Sequence, residues 1–153
     1  MTPDRIAQLN RAFGTNVTLH NCFLHEAGFP EDYFDRIFSI STIEHIPAAE
    51  LGPLMREISR ILRPGGRFVA TIDLFLNVRP FTERESNRYG SNADVRALAE
   101  AGGMRLVQGK RAELHGYPEF DSNAVLTQLN HFLVGTQYPA LAQCVVFDKP
   151  AAP

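Results

Sequence analysis

The side chains of this 153-residue chain that could do chemistry lie at the ends of two short apolar runs. Glu44 and His45 follow one run, and Asp73 follows the other, Phe68–Ile72. His45 could act as a general base, since the unperturbed pKa of histidine is about 6.5; alternatively, it hydrogen-bonds a neighbouring loop and only shapes a pocket. Asp73 could face an acceptor hydroxyl, or it could cap a turn through its carboxylate. These positions make His45 and Asp73 the catalytic candidates.

Further polar side chains lie in an aromatic turn later in the chain. Leu114–Phe120 contains His115 and Tyr117, each of which has a polar end on an apolar ring. Such side chains could line a pocket for a small-molecule acceptor such as a sugar or a phenol. A turn that only packs against the core would have the same composition. We therefore expect His115 and Tyr117 to bind substrate, with the packing loop as the alternative.

Two strands joined by a helix must position Glu44, His45 and Asp73. A short, nearly continuous apolar run, as expected of a strand covered on both faces, consists of Ile37, Phe38, Ile40 and Ile43. A helix with one apolar stripe follows, and Pro64-Gly65-Gly66 stops it, because glycine can adopt the left-handed turn. Such a strand–helix–strand unit is almost always right-handed and parallel. Ligands bind outside the carboxyl ends of the strands, which here indicates Asn21–Leu24, Ser39–His45 and Asp73–Asn77.

The remaining sequence alternates helical and strand patterns, which is typical of an α/β fold. The predicted elements are a helix from Thr2-Pro3 to Gly14, a short strand at Val17–Leu19, a loop at Leu74–Ser91, a helix capped by Asn92 and ended by Ala101–Gly103, a strand at Met104–Val107, a helical stripe of Val125, Leu126, Leu129, Phe132 and Leu133, and a strand at Cys144–Phe147. We predict one domain over residues 1–150 and a short tail over residues 151–153.

Composition and charge limit the kinds of partner, metal site and cellular location that we expect. The net charge of −2 gives no electrostatic reason to expect nucleic acid or an anionic membrane. No apolar run approaches the length of about 20 residues that crosses a bilayer. Cys22 and Cys144 lie far apart in the sequence, and His20 and His25 have no further ligands nearby, so we predict no metal site. The expected location is the cytoplasm, and the expected partner is a small molecule.

Two stretches of the sequence resemble a known family. FDRIFSISTIEHIP, followed by LMREISRILRPGGRFVATID, is similar to the fourth strand, the next helix and the fifth strand of class I S-adenosylmethionine-dependent methyltransferases, in the branch that acts on small molecules. The resemblance implies a partial Rossmann-like α/β sheet, mostly parallel, whose last two strands form an antiparallel pair at the edge. It also implies S-adenosylmethionine as cofactor and methyl transfer to a small-molecule acceptor.

The same resemblance implies which residues bind the cofactor. Counting from Phe34-Asp35, the position that usually holds an acid beside the adenine amino group is Phe23, which can stack on a purine but cannot accept a hydrogen bond. We therefore expect Phe23, Leu24, Ser39 and Ile40 to contact the cofactor. A core aromatic is the alternative for Phe23, because phenylalanine is often buried.

The resemblance begins partway through the family pattern. No Gly-x-Gly precedes Asn16, so the glycine-rich turn and the ribose-binding acid expected in this family are missing. We therefore expect a truncated domain that lacks the first two strands and is inactive as this chain alone. The alternative is a non-catalytic domain that dimerises or binds a protein partner. Without those strands, the Phe34–Ser41 strand would have an unpaired edge, which either Val17–His20 or a second copy of the chain could cover.

Overall fold

The computed structural model describes residues 2–129 and 138–151. Its elements follow the predicted alternation of helices and strands. They are α1 (Pro3–Phe13), β1 (Phe34–Ile40), α2 (Ala48–Ile61), β2 (Leu62–Phe75), α3 (Val95–Ala101), β3 (Arg105–Gln108), α4 (Ser122–Thr127) and β4 (Ala140–Asp148), with single 3₁₀ turns at Leu24–Glu26, Ile43–His45 and Arg111–Glu113. No helix in the described part of the chain is long and apolar enough to cross a membrane.

The four strands form one sheet in the order β1-β2-β4-β3. β1 and β2 are parallel neighbours, with Ile37 opposite Phe68 and Ile40 opposite Thr71, and α2 connects them. β4 is antiparallel to both β2 and β3, so β1, β2 and β3 all run in the same direction. The expected α/β sheet, mostly parallel with an antiparallel pair at its edge, is therefore confirmed.

Helices α2 and α3 cover one face of this sheet. Successive side chains of a strand point to opposite faces, and alternate residues of β2, including Phe68, Ala70 and Ile72, meet Met55 and Ile58 of α2 in the core. Each large apolar side chain buried in this way stabilises the fold by about 1.5–3 kcal/mol. This packing fixes the register of β2, and the register fixes which of its residues face away from the helices.

The opposite face is only partly covered. Phe38 and Ile40 of β1 are 66% and 62% exposed, because β1 is the edge strand and has β2 as its one partner in the described sheet. Helix α1 buries Ile6 and leaves Phe13 exposed. An exposed apolar edge of this kind is a site where further strands can pair.

Two predictions are wrong: one concerns the segment after α1, and the other concerns the cap of α3. Val17–Leu19 is not a strand, and Val17–His20 does not pair with β1. The reason is that the side chain of Asn10 bonds both backbone groups of Val17: it accepts from the N–H (2.8 Å) and donates to the carbonyl (2.9 Å). Asn92 does not cap α3. Asp94 does so, accepting a hydrogen bond from the Ala97 N–H (2.7 Å).

Other boundaries differ by a few residues. α2 ends at Ile61, before the predicted stop at Pro64, and Gly65 takes its left-handed conformation (φ 73°) within β2 rather than at a helix end. Of the helical stripe predicted from Val125 onward, Val125 and Leu126 lie in α4, Leu129 follows its end, and Phe132 and Leu133 lie outside the described residues.

Candidate functional site

The polar residues that follow β1 and β2 meet at the carboxyl edge of the sheet, as predicted. β1 ends in a turn that Thr71 holds, since the Ser41 N–H donates to the Thr71 carbonyl (3.0 Å). The hydroxyl of Ser41 donates to Oδ1 of Asp73 at 3.3 Å. The turn that follows, Ile43–His45, brings Glu44 and His45 to the same edge.

Asp73 is buried, and two hydroxyl groups hold its carboxylate. Ser41 donates to Oδ1, and the phenol of Tyr138 donates to Oδ2. Burial and this hydrogen bond both raise the pKa of Tyr138, so the phenol stays protonated as a donor. The observed partners of the Asp73 carboxylate are therefore hydroxyls of the protein itself, and its role towards an acceptor stays a prediction.

Glu44 is the most unusual group of the site. Glu44 is buried, with 1% of its surface exposed. Neither of its carboxylate oxygens has a hydrogen-bond partner among the described residues. Burial raises the pKa of Glu44 and the nearby charge of Asp73 raises it further, while the nearby backbone N–H groups of Glu44 and Asp73 offset part of this rise. A buried carboxyl in this setting favours its protonated form or a partner that supplies hydrogen-bond donors.

His45 stands between this carboxyl and a neighbouring loop. Its Nδ1 hydrogen-bonds the carbonyl of Tyr89, and its Nε2 lies 3.7 Å from Oε1 of Glu44. Because a carbonyl can only accept, Nδ1 carries the proton, and Nε2 is the basic nitrogen of the neutral ring. His45 therefore makes a hydrogen bond to a neighbouring loop, and because this bond uses Nδ1, it leaves Nε2 available for proton transfer.

A cavity of about 370 Å³ opens beside His45. The loop from Ser86 to Ser91 forms one wall, and the turn from Glu44 to Pro47 forms the other. Gly90 lets the two walls approach, because a Cβ at this position would lie 1.9 Å from the carbonyl oxygen of Glu44. Asn92 anchors the loop to β2, accepting from the Phe75 N–H (2.6 Å) and donating to the Phe75 carbonyl (3.0 Å).

Aromatic rings form the apolar side of the site. Phe75 packs on Tyr89 at 6.3 Å between ring centroids and on Tyr138 at 5.6 Å. Tyr89 and Tyr138 meet edge to face at 4.5 Å. The acidic groups Glu44 and Asp73 therefore lie next to an aromatic wall, which suits an acceptor that has an apolar body and a polar reacting end.

The residues expected to bind a nucleoside cofactor lie nearer to the β1 edge. Phe23 is 68% exposed and stacks on His25 with 5.8 Å between ring centroids, so the alternative of a core aromatic is wrong. Leu24 packs against the core from its edge. Ser39 is half-buried and Ile40 is exposed at the end of β1.

His115 and Tyr117 are not among the residues that line the cavity beside His45. The Nδ1 of His115 pairs with the Ala93 carbonyl at 3.1 Å, and the backbone of His115 bonds to the first residue of α3. Tyr117 packs against the core beneath the guanidinium of Arg111, which is 5.3 Å from its ring centroid. Their substrate-binding role stays a prediction.

Sequence reasoning missed the tyrosines of this site. Tyr138 is 65 positions from Asp73, and no local pattern links the two. Tyr89 lies in a loop of mostly charged and polar residues, so the sequence there does not predict an aromatic contact. Glu44 carried a signal, because an acid inside the apolar turn after a strand departs from the core pattern.

A protein-family model matches the first part of the chain. Residues 2–70 match the methyltransferase domain model. The match includes β1, α2 and most of β2, the segment on which the resemblance rests, and it confirms that resemblance. No curated protein sequence matches the chain.

Solved structures are similar in fold. The 4+2 cyclase SpnF superimposes with a TM-score of 0.62 at 15% identity, over 95% of this chain and 62% of that one. The 1,6-didemethyltoxoflavin-N1-methyltransferase of Burkholderia thailandensis, solved with S-adenosylhomocysteine, gives 0.62 at 19% identity, over 98% and 58%. An S-adenosylmethionine-dependent methyltransferase from Mesorhizobium loti gives 0.57 at 16%, over 96% and 76%. The chain thus spans 62% and 58% of the first two, and the likeness establishes the shared fold.

Proposed function

We propose that this chain takes part in the transfer of a methyl group from S-adenosylmethionine to a small-molecule acceptor. The observation that carries the proposal is the methyltransferase-domain match over residues 2–70, which ends in the strand that leads to the Glu44, His45 and Asp73 cluster. A [4+2] cyclase shares the fold, so fold alone does not assign the reaction. The acidic, aromatic-walled site at the carboxyl edge is what favours an acceptor with a polar reacting end.

The cofactor would supply an electrophilic methyl group on a sulfonium, and the chain's own task is positioning. In-line approach of two bound reactants accounts for much of the acceleration of such a step. The cavity beside His45 would hold the acceptor, and Tyr89, which lines it, would supply the aromatic contact. Asp73, fixed by two hydroxyls, would orient the acceptor, and Nε2 of His45 would take a proton from its hydroxyl or amine.

The residues that would contact the cofactor fit part of it. Ile40 and Phe23 each expose an apolar side chain that could contact an adenine ring, and Leu24 and Ser39 are their neighbours in the sequence. None of these four side chains is a carboxylate, the group that accepts hydrogen bonds from ribose hydroxyls in dinucleotide sites. We therefore expect weak binding by residues 1–153 alone, and we propose that activity requires a carboxylate supplied from outside this sequence, either by another polypeptide or by further sequence of the same one.

Calorimetric titration with S-adenosylhomocysteine tests the cofactor proposal. We expect weak heat at high ligand concentration and a small rise in Tm, since a ligand that binds the folded state must stabilise it. Ile40→Trp, which fills the space at the end of β1, should remove both signals, whereas Phe13→Trp on α1 serves as an exposed control. Binding that Ile40→Trp leaves unchanged would contradict the proposed location. Release of S-adenosylhomocysteine across a panel of phenols and amines would then measure the transfer itself.

A non-catalytic homodimer is the second candidate, and the exposed edge of β1 favours it. Phe38 and Ile40 present apolar surface on a strand with an unpaired side, and a symmetric pairing of two such edges would cover it. Sedimentation of the purified chain tests this candidate. Phe38→Lys should convert a dimer to a monomer, while a monomeric parent chain would eliminate the candidate.

We also propose a cytoplasmic location and a partner that is neither nucleic acid nor membrane. The free thiols of Cys22 and Cys144 support the location, and the net charge of −2 supports the absence of these two partners. Fractionation of the producing cells tests the location, and a nucleic-acid retention assay at low salt tests the partner, because electrostatic binding would be strongest there.

A further inference from the structure

A second and larger cavity lies on the other face of β2. Its volume is about 840 Å³, within the range of sites that hold drug-sized molecules. Leu74 of β2 and Leu141 of β4 are paired across the sheet and form its floor. Asp73 precedes Leu74 and points to the opposite face, so this cavity is separate from the site beside His45.

The walls of the cavity are mostly apolar. Val125 of α4 closes one side, Leu114 closes another, and the end of β3 provides Val107 and Gly109. At the rim, the ammonium of Lys110 pairs with Glu113 at 3.1 Å. The two charged residues of the lining therefore neutralise each other, which favours an uncharged occupant.

One buried polar group lies in this apolar lining. Gln143 of β4 is 5% exposed, and its side chain projects from the same face as Leu141. Its Oε1 accepts a hydrogen bond from the His115 N–H at 2.8 Å. Because a backbone N–H requires an acceptor, this bond fixes the orientation of the amide. The amide nitrogen Nε2 then has no hydrogen-bond partner among the described residues.

We propose that this cavity binds a neutral, largely apolar small molecule that carries a carbonyl acceptor, and that Nε2 of Gln143 donates to that carbonyl. An unpaired buried donor is costly, and a ligand acceptor would remove the cost. The apolar floor and walls would supply most of the affinity, and the amide would supply the orientation. The proposal is independent of methyl transfer, because none of its residues belongs to the site beside His45.

The test uses Prodan, a fluorescent naphthyl ketone with one carbonyl group. We expect saturable binding with a blue-shifted emission. Ala112→Trp, at the exposed side of the lining, should abolish binding by filling the mouth of the cavity. Gln143→Leu should weaken it roughly three- to tenfold, the loss of one neutral hydrogen bond. Gln8→Leu, a matched change on the exposed side of α1, should leave the affinity within twofold.

A ligand pair separates the hydrogen bond from general apolar binding. Acetonaphthone should compete with Prodan several-fold better than isopropylnaphthalene, which has a similar shape and no acceptor. Gln143→Leu should remove this preference. Absence of saturable Prodan binding would overturn the proposal, and so would binding that Ala112→Trp leaves intact. Equal competition by the two naphthalenes would overturn the role of Gln143, even if Gln143→Leu failed to fold.

Discussion

The buried carboxyl of Glu44 should make the stability of the protein fall as pH rises, and Glu44→Gln should remove that fall. Burial raises the pKa of Glu44 above its ordinary value of 4.5 in the folded state. The folded protein therefore keeps a proton on this carboxyl at pH values where the unfolded chain has lost it. The associated stability is complete below pH 4.5 and is lost as pH rises through the folded pKa.

The expected size follows from the missing hydrogen-bond partners. A buried group without a partner costs about 1–3 kcal/mol, and more when it is charged. Glutamine has nearly the same shape and no charge. At about pH 8.5 the Gln variant should therefore be more stable than the parent by about 1–3 kcal/mol, which raises Tm by roughly 3–9 °C for a domain of this size. At about pH 4 the two proteins should agree within about 0.5 kcal/mol.

Urea denaturation at both pH values measures the difference directly. Glu31→Gln is the matched control, because Glu31 is exposed and should show little change at either pH. A Gln variant that is less stable than the parent at the higher pH would refute the reasoning, since it would mean that the carboxylate has a stabilising partner. A difference of equal size at both pH values would refute the assignment to ionisation.

Two further substitutions test how the loop is held against the sheet. Gly90→Ala should destabilise by about 1–3 kcal/mol, because its φ of 148° is strained for other residues and the new Cβ would meet the Glu44 carbonyl; a protein as stable as the parent in urea would contradict the close approach. Asn92→Ala should cost about 1–3 kcal/mol by leaving both backbone groups of Phe75 unpaired. Asn123→Ala, on exposed α4, is its control, and equal effects of the two changes would count against the anchoring role.

The central part of the fold was predictable because its signals are local. The β1–α2–β2 unit has a continuous apolar run, a helical stripe and a second run within 42 residues, and handedness follows from general rules. The pairing of Val17–His20 with β1 was not predictable in the same way. A side chain of α1, Asn10, captures the backbone of Val17 from seven positions away, and such a bond leaves no periodic pattern.

The candidate site, too, was predictable only where its signals are local. The rule that ligands bind at the carboxyl ends of strands places His45 and Asp73 together, and their neighbourhood follows from two adjacent strands. The partner of Asp73 does not follow, because Tyr138 reaches it from the far end of the chain. The cap of α3 shows the same limit at short range, since both Asn92 and Asp94 suit a cap, and only the contacts of Phe75 decide between them.

Buried polar residues show where this sequence departs from the pattern of a simple core. Of the residues that the structure describes, three polar side chains are buried: Glu44, Asp73 and Gln143. Asp73 is near the end of β2, and Gln143 of β4 pairs with Ile72, the residue before Asp73. Glu44 lies close enough to Asp73 for the two charges to interact. Two of the three keep atoms without hydrogen-bond partners. An apolar residue at position 44 or 143 would avoid this cost, so a polar residue at each of these positions is better explained by a ligand than by stability.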